Sequence, residues 1–120
     1  MKKPLAIVLS SAFLLAAHAG FAACDYPKQV EVPNGNTASE EEMLEGQNKV
    51  KQYVADMEAY LDCIVAEEKA ALEALDDLEP ETEQQREDLL TKKYNAAVEE
   101  METVAARFNA QVQAFRAKDR

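Results

Sequence analysis

The chain has no tryptophan, one histidine, three glycines and two cysteines in 120 residues. Each scarcity closes a class of function. His18, the only imidazole, sits in an N-terminal apolar stretch. The rest of the chain therefore lacks the usual general base for a serine, threonine or cysteine nucleophile, and lacks imidazole for a zinc site. Gly20, Gly35 and Gly46 stand far apart, so no glycine-rich loop is available to cradle a phosphate. Neither Cys24 nor Cys63 has the neighbour spacing of a CxxC redox motif. Paired carboxylates doing acid and base work would need a cleft to shield them, which a thin helical protein does not offer. The sequence reads as a non-enzyme with no cofactor and no metal.

Long apolar runs are also missing. The longest, Leu5 to Ala17, is shorter than the roughly 20 apolar residues that span a bilayer. Lys2 and Lys3 precede it and the small residues Ala19, Ala22 and Ala23 follow it. This is the pattern of a bacterial secretory signal peptide, residues 1–22, with cleavage after Ala22 or after Ala19. Phe21, Ala22, Ala23 and Cys24 also resemble the lipobox of bacterial lipoproteins, with Phe21 where leucine is usual. That resemblance implies an acylated Cys24 and a membrane-tethered chain. Without Lys2 and Lys3, 11 of the 13 basic residues remain against 23 acidic ones, a net charge of −12. Nucleic acid and anionic lipid surfaces are poor partners for such a chain.

What the sequence does have is helical rhythm. Val50, Val54, Met57, Leu61, Ile64, Ala71, Leu75 and Leu78 alternate by four and three residues, interrupted only by Glu68. A second run repeats the rhythm through Leu90, Tyr94, Ala97, Met101, Val104 and Phe108, with Gln111 as its polar interruption. Two such seams in one short chain predict an all-α fold, a long antiparallel two-helix coiled-coil hairpin. Thr37 with Glu40 and Ser39 with Glu42 offer capping boxes for helix 1, expected over about 40–78. Pro80 then marks a turn at 79–81, and Thr82 with Gln85 can cap helix 2, expected over about 82–118. This register sets Glu68 level with the Tyr94 hydroxyl and Gln111 near Gln47 and Asn48. Each polar residue either fixes register or reaches water.

Residues 23–39, marked by Pro27, Pro33 and the Asn34, Gly35, Asn36 turn, are expected as an extended arm. In an oxidising compartment the thiol of Cys63 needs a partner. From Ser39 the arm can reach about 50 Å, against about 36 Å of helix to Cys63. A Cys24 to Cys63 disulfide would then tie the arm back along helix 1, beside Tyr53 and Tyr60. The alternative is a lipid on Cys24, with Cys63 buried or paired with another chain.

Two surfaces stand out. The turn region carries Asp76, Asp77, Glu79, Glu81, Glu83, Glu87 and Asp88 with Arg86 alone among them. A divalent cation or a basic partner would suit it, as would plain solvation. On the flank away from the arm, Val65 and Leu72 of helix 1 and Val98, Ala105 and Val112 of helix 2 widen the apolar face. This stripe is the candidate partner-binding surface, for another protein or for a second copy in a four-helix dimer.

The order Cys24, Tyr26, Pro27, Val30, Val32, Pro33, Gly35, then Glu41, Glu42, Met43, Gln47, Val50, Lys51, Tyr53, Met57, Tyr60, Leu61, Cys63 is similar to small exported proteobacterial helical proteins of unknown function. The resemblance covers the arm and helix 1, and implies secretion and paired cysteines but no activity. Periplasmic helical chaperones with LTxxQ repeats have comparable size, yet Leu90, Thr91, Lys92, Lys93, Tyr94 lacks the glutamine. The expectation is an exported structural or interaction protein of the periplasm. A chaperone-like or stress protein binding clients along the apolar flank is the alternative, and an acylated envelope lipoprotein a further one.

Overall fold

The computed structural model describes residues 23–118; the expected signal peptide lies outside the described residues. Two helices form the fold, α1 (Glu40–Ala74) and α2 (Pro80–Lys118), packed as an antiparallel hairpin, and no strand occurs among the described residues.

α1 begins where its cap chemistry dictates. The Glu42 backbone N–H donates to Ser39 Oγ at 3.1 Å, and the Ser39 N–H donates to the Glu42 carboxylate at 2.7 Å. Both halves of the box are made, so two otherwise orphaned donors are satisfied. Thr37 takes no part in a second box. It closes the preceding turn instead, its N–H donating to the Asn34 carbonyl at 3.1 Å. Glu40, Glu41 and Glu42 lie at the positive end of the helix dipole.

The other end of α1 differs from expectation. The helix stops at Ala74, four residues before Leu78, with Leu75 already extended at φ −98°, ψ 120°. No basic residue occupies the last turn, and Asp76 and Asp77 would place two carboxylates at the negative end of the dipole. Asp77 instead adopts a left-handed φ of 52°, a conformation aspartate tolerates better than most residues. Pro80 does not merely end α1; it is the first residue of α2. Its missing N–H would have been unpaired there anyway, and its fixed φ suits a helix start. The first helical bond runs from the Glu83 N–H to the Glu79 carbonyl, 3.0 Å. The Thr82 cap is therefore not used.

Packing divides the hairpin into two parts. The buried residues are Met43, Gly46, Val50, Tyr53, Met57, Leu61 and Ile64 of α1, and Ala97, Val104 and Phe108 of α2. They define a body around Met57, which has no exposed surface. Burying such a side chain contributes about 1.5–3 kcal/mol. From Val65 through Ala96 no residue is buried. This bare pair of helix ends is the tip. The reason for the difference is the arm: Cys24, Val30 and Val32 pack against the body core, and the arm runs no further toward the tip than Cys24.

Tyr53 is 2% exposed, and its hydroxyl has no hydrogen-bond partner. Burial raises its pKa above the ordinary phenol value of 10.0, and the neighbouring Tyr26 and Glu100 add to the rise. Above pH about 10 the unfolded chain sheds this proton while the folded chain keeps it, so stability falls as pH climbs. A buried hydroxyl without a partner also costs about 1–3 kcal/mol. Tyr53→Phe is therefore expected to raise stability by about 1 kcal/mol at pH 7, and to flatten the decline above pH 10. Denaturant melts at pH 7 and pH 11 check both. A loss at pH 7 would mean that the hydroxyl has a partner.

Candidate functional site

The arm is clamped at both ends, and not only to α1. At its start Cys24 is bonded to Cys63, with the two Cα atoms 5.8 Å apart. Tyr26 then meets Tyr60 edge to face, ring centroids 5.0 Å apart. At its far end the Asn34 to Thr37 turn presses on α2. The Gly35 N–H donates to Gln111 Oε1 at 2.8 Å, and Lys118 Nζ donates to the Ala38 carbonyl while standing 4.3 Å over the Phe115 ring. Gln111 thus reaches neither water alone nor Gln47 and Asn48: it receives the arm. Glu68 also departs from expectation. Its partner is Arg86, through two bonds of 2.8 and 3.0 Å, and not the Tyr94 hydroxyl. The early end of α1 shifts the facing residues of α2, and a guanidinium matches a carboxylate with a paired geometry that a phenol cannot.

The disulfide has an acidic neighbour. A Glu67 carboxylate oxygen stands 3.2 Å from Cys24 Sγ, a contact only, because a disulfide sulfur has no hydrogen to donate. A fixed negative charge there disfavours the approach of an attacking thiolate. Cys24, Cys63 and Glu67 bring three potential ligand atoms within 4.8 Å. With both sulfurs bonded to each other, Glu67 alone could serve a cation.

The same bond bears on lipidation. One sulfur cannot be both the thioether of a lipoprotein and half of a disulfide, and here Cys24 is in the disulfide. Such bonds persist in oxidising compartments. Among the described residues no helix is long and apolar enough to cross a membrane.

The five residues of the apolar flank separate between body and tip. Val98 and Val112 pack partly buried against the core, and Ala105 is half-buried. Val65 and Leu72 are open, at 44% and 38% exposure. They gather with Leu90, Glu68, Lys69 and Glu73 into a shallow groove of about 430 Å³. Leu90 belongs to the predicted seam and is only partly buried, packed against the end of the core. Leu89, 57% exposed, lies on the tip as well and was not anticipated as part of any surface. The signal that would have found it is the pair Leu89, Leu90, where a single seam needs only one.

A second hollow, of about 360 Å³, lies between the arm and the start of α1, with Glu31, Glu42, Glu45 and Lys49 on its rim. Lys49 and Glu45 form an exposed ion pair at 2.8 Å, whose hydrogen bond lowers the carboxyl pKa and raises that of the ammonium. One helical turn on a solvated surface accounts for it. The chain matches no known protein family, no curated protein and no solved structure.

Proposed function

We propose that this chain is an exported, non-enzymatic interaction protein of the bacterial periplasm, in which a cross-linked body presents a bare helical tip. The observation that carries this reading is the contrast along one hairpin. The body has a third layer, a disulfide and all the fully buried side chains among the described residues, whereas the tip has apolar side chains of which none is fully buried. Val65 and Leu72 stand exposed on one groove with Leu90, and apolar residues gathered in one place mark interaction surfaces. The intramolecular disulfide supports export, as does the signal-like start of the sequence.

The test uses the exporting bacterium. With a photo-cross-linking residue at Leu72, a discrete protein adduct is expected; the same residue at Glu58, an exposed position of the body, should give none. The intact mass of the exported chain should correspond to a start near Ala23 and rise by two hydrogens on reduction. Absence of any adduct from the tip would sink the interaction reading. The exposed leucines also suit a chaperone-like role, and those two readings part on one assay. Suppression of client aggregation by the purified protein at several-fold excess would favour the chaperone, and no effect would remove it.

A further inference from the structure

The open groove faces away from the arm. Cys63 marks the arm side of α1, and Val65 and Leu72 follow it by two and nine residues. At roughly 100° per residue that places both on the opposite side of the helix. Leu90 closes the groove from α2. Counting along α2, Glu87 and Glu83 precede Leu90 by three and seven residues and share its face with Arg86, whose charge is taken up by Glu68. Glu73 lines the α1 edge, and Asp76 and Asp77 follow just beyond it. Over residues 65–96 there are ten acidic side chains against four basic ones, a net of −6. The groove floor is apolar; Glu73 and Lys69 stand on its α1 bank, Glu68 there is paired with Arg86, and the surrounding tip carries the excess negative charge.

We propose that this groove docks a basic amphipathic helix of a partner protein, its apolar stripe seated on Val65, Leu72 and Leu90 and its lysines or arginines facing Glu73, Glu83 and Glu87. The inference rests on the reading of the chain as an interaction protein and names the chemistry of its partner. A helix fits because two helices already form the groove walls, and anchors spaced by three, four and seven residues meet such a groove along its length. It gives the tip the third layer that the arm gives the body. Charge selects against a second copy, since apposing two tips would double a net of −6 at close range, and like-charge juxtaposition is costly. Anionic lipid and nucleic acid are repelled for the same reason.

The probe is a synthetic peptide of about 14 residues, about 21 Å of helix, built from leucine and lysine with the leucines on one face. Two controls accompany it: the same composition scrambled to have no apolar face, and the same pattern with glutamate in place of lysine. Binding to the full disulfide-bonded protein is read by fluorescence anisotropy at physiological salt. The patterned lysine peptide is expected to bind at least about tenfold more tightly than either control. A Val65→Gln, Leu72→Gln double variant should weaken it by about tenfold. Both residues are exposed, so the melting curve of that variant should match the parent. Equal binding of the scrambled peptide, preference for the glutamate peptide or indifference to the double variant would each overturn the proposal. So would a dimer in sedimentation equilibrium that the double variant abolishes, since a second copy would then be the occupant. A discrete adduct at Leu72 whose partner segment is acidic would leave the interaction reading intact and refute this inference alone.

Discussion

Reduction of the Cys24–Cys63 bond is expected to cost about 4 kcal/mol and to free the arm while leaving the helices largely formed. The magnitude follows from loop closure. The bond joins residues 39 apart, and fixing a loop of that size removes about 13 cal/mol/K from the unfolded ensemble, close to 4 kcal/mol at 25 °C. For a domain of this size that corresponds to a drop in melting temperature of roughly 20 °C or more. The effect lives in the cross-link and not in either side chain. Cys24→Ser, Cys63→Ser and the double variant should therefore lose the same amount, a non-additivity that separates a bond from two independent contacts. Trypsin cleavage at Lys28, protected in the parent by an arm held at both ends, should become fast. Single variants whose losses simply add, or a reduced protein that melts with the oxidised one, would show that packing of Tyr26, Val30 and Val32 holds the arm without the bond.

The helices were legible because their signal is local. Heptad spacing through Val50, Met57, Leu61 and Ile64 announces a seam, and those four residues are buried. Ser39 with Glu42 announces a start, and the capping box is made. The disulfide was also legible, since reach and redox chemistry leave Cys63 few partners. The end of α1 was misread because the rhythm of Ala71, Leu75 and Leu78 continues past the point where helix conformation does. Periodicity records which residues are apolar, whereas the dipole, Asp77 and Pro80 decide where the backbone turns. That shift of a few residues is what gives Glu68 to Arg86.

The division into body and tip was not legible for a different reason. The seam residues of the tip look like those of the body. Only the third layer separates them, and a proline-marked arm carries no periodic signal for the groove it fills. Gln111 shows the same limit. In the sequence it interrupts a seam; in the fold it accepts a hydrogen bond from a residue 76 positions earlier. The open groove was half visible. Val65 and Leu72 of the predicted flank are exposed, whereas Val98 and Val112 of the same stripe pack partly buried against the body core.

Gly35→Ala is expected to destabilise the protein by about 3 kcal/mol, although it adds one methyl group on an arm. Gly35 is buried, and its φ is not positive, so the backbone conformation is open to any residue; what alanine lacks is space. A Cβ there would collide with the Gln111 main-chain carbonyl and lie 2.8 Å from the Phe115 backbone nitrogen. Both atoms belong to the α2 backbone and cannot turn aside, so the turn must lift off. Overpacking of this kind typically costs 1–3 kcal/mol, and loss of the Gly35 bond to Gln111 adds about 1. Two comparisons isolate the cause. Gln111→Leu removes the acceptor without the clash and should cost only about 1 kcal/mol. Gly46→Ala sets its Cβ 2.6 Å from Pro33 Cγ, but that ring sits on the arm and can shift, while alanine gains about 1 kcal/mol of helix propensity. Its loss should be the smaller of the two. Because Gly35 and the disulfide hold opposite ends of one arm, the Gly35→Ala cost should shrink once the bond is reduced. Denaturant melts of the oxidised and reduced proteins give all four values. A Gly35→Ala protein within 1 kcal/mol of the parent would mean that the turn does not wedge against α2, and a loss unchanged by reduction would mean that the turn docks independently of the disulfide.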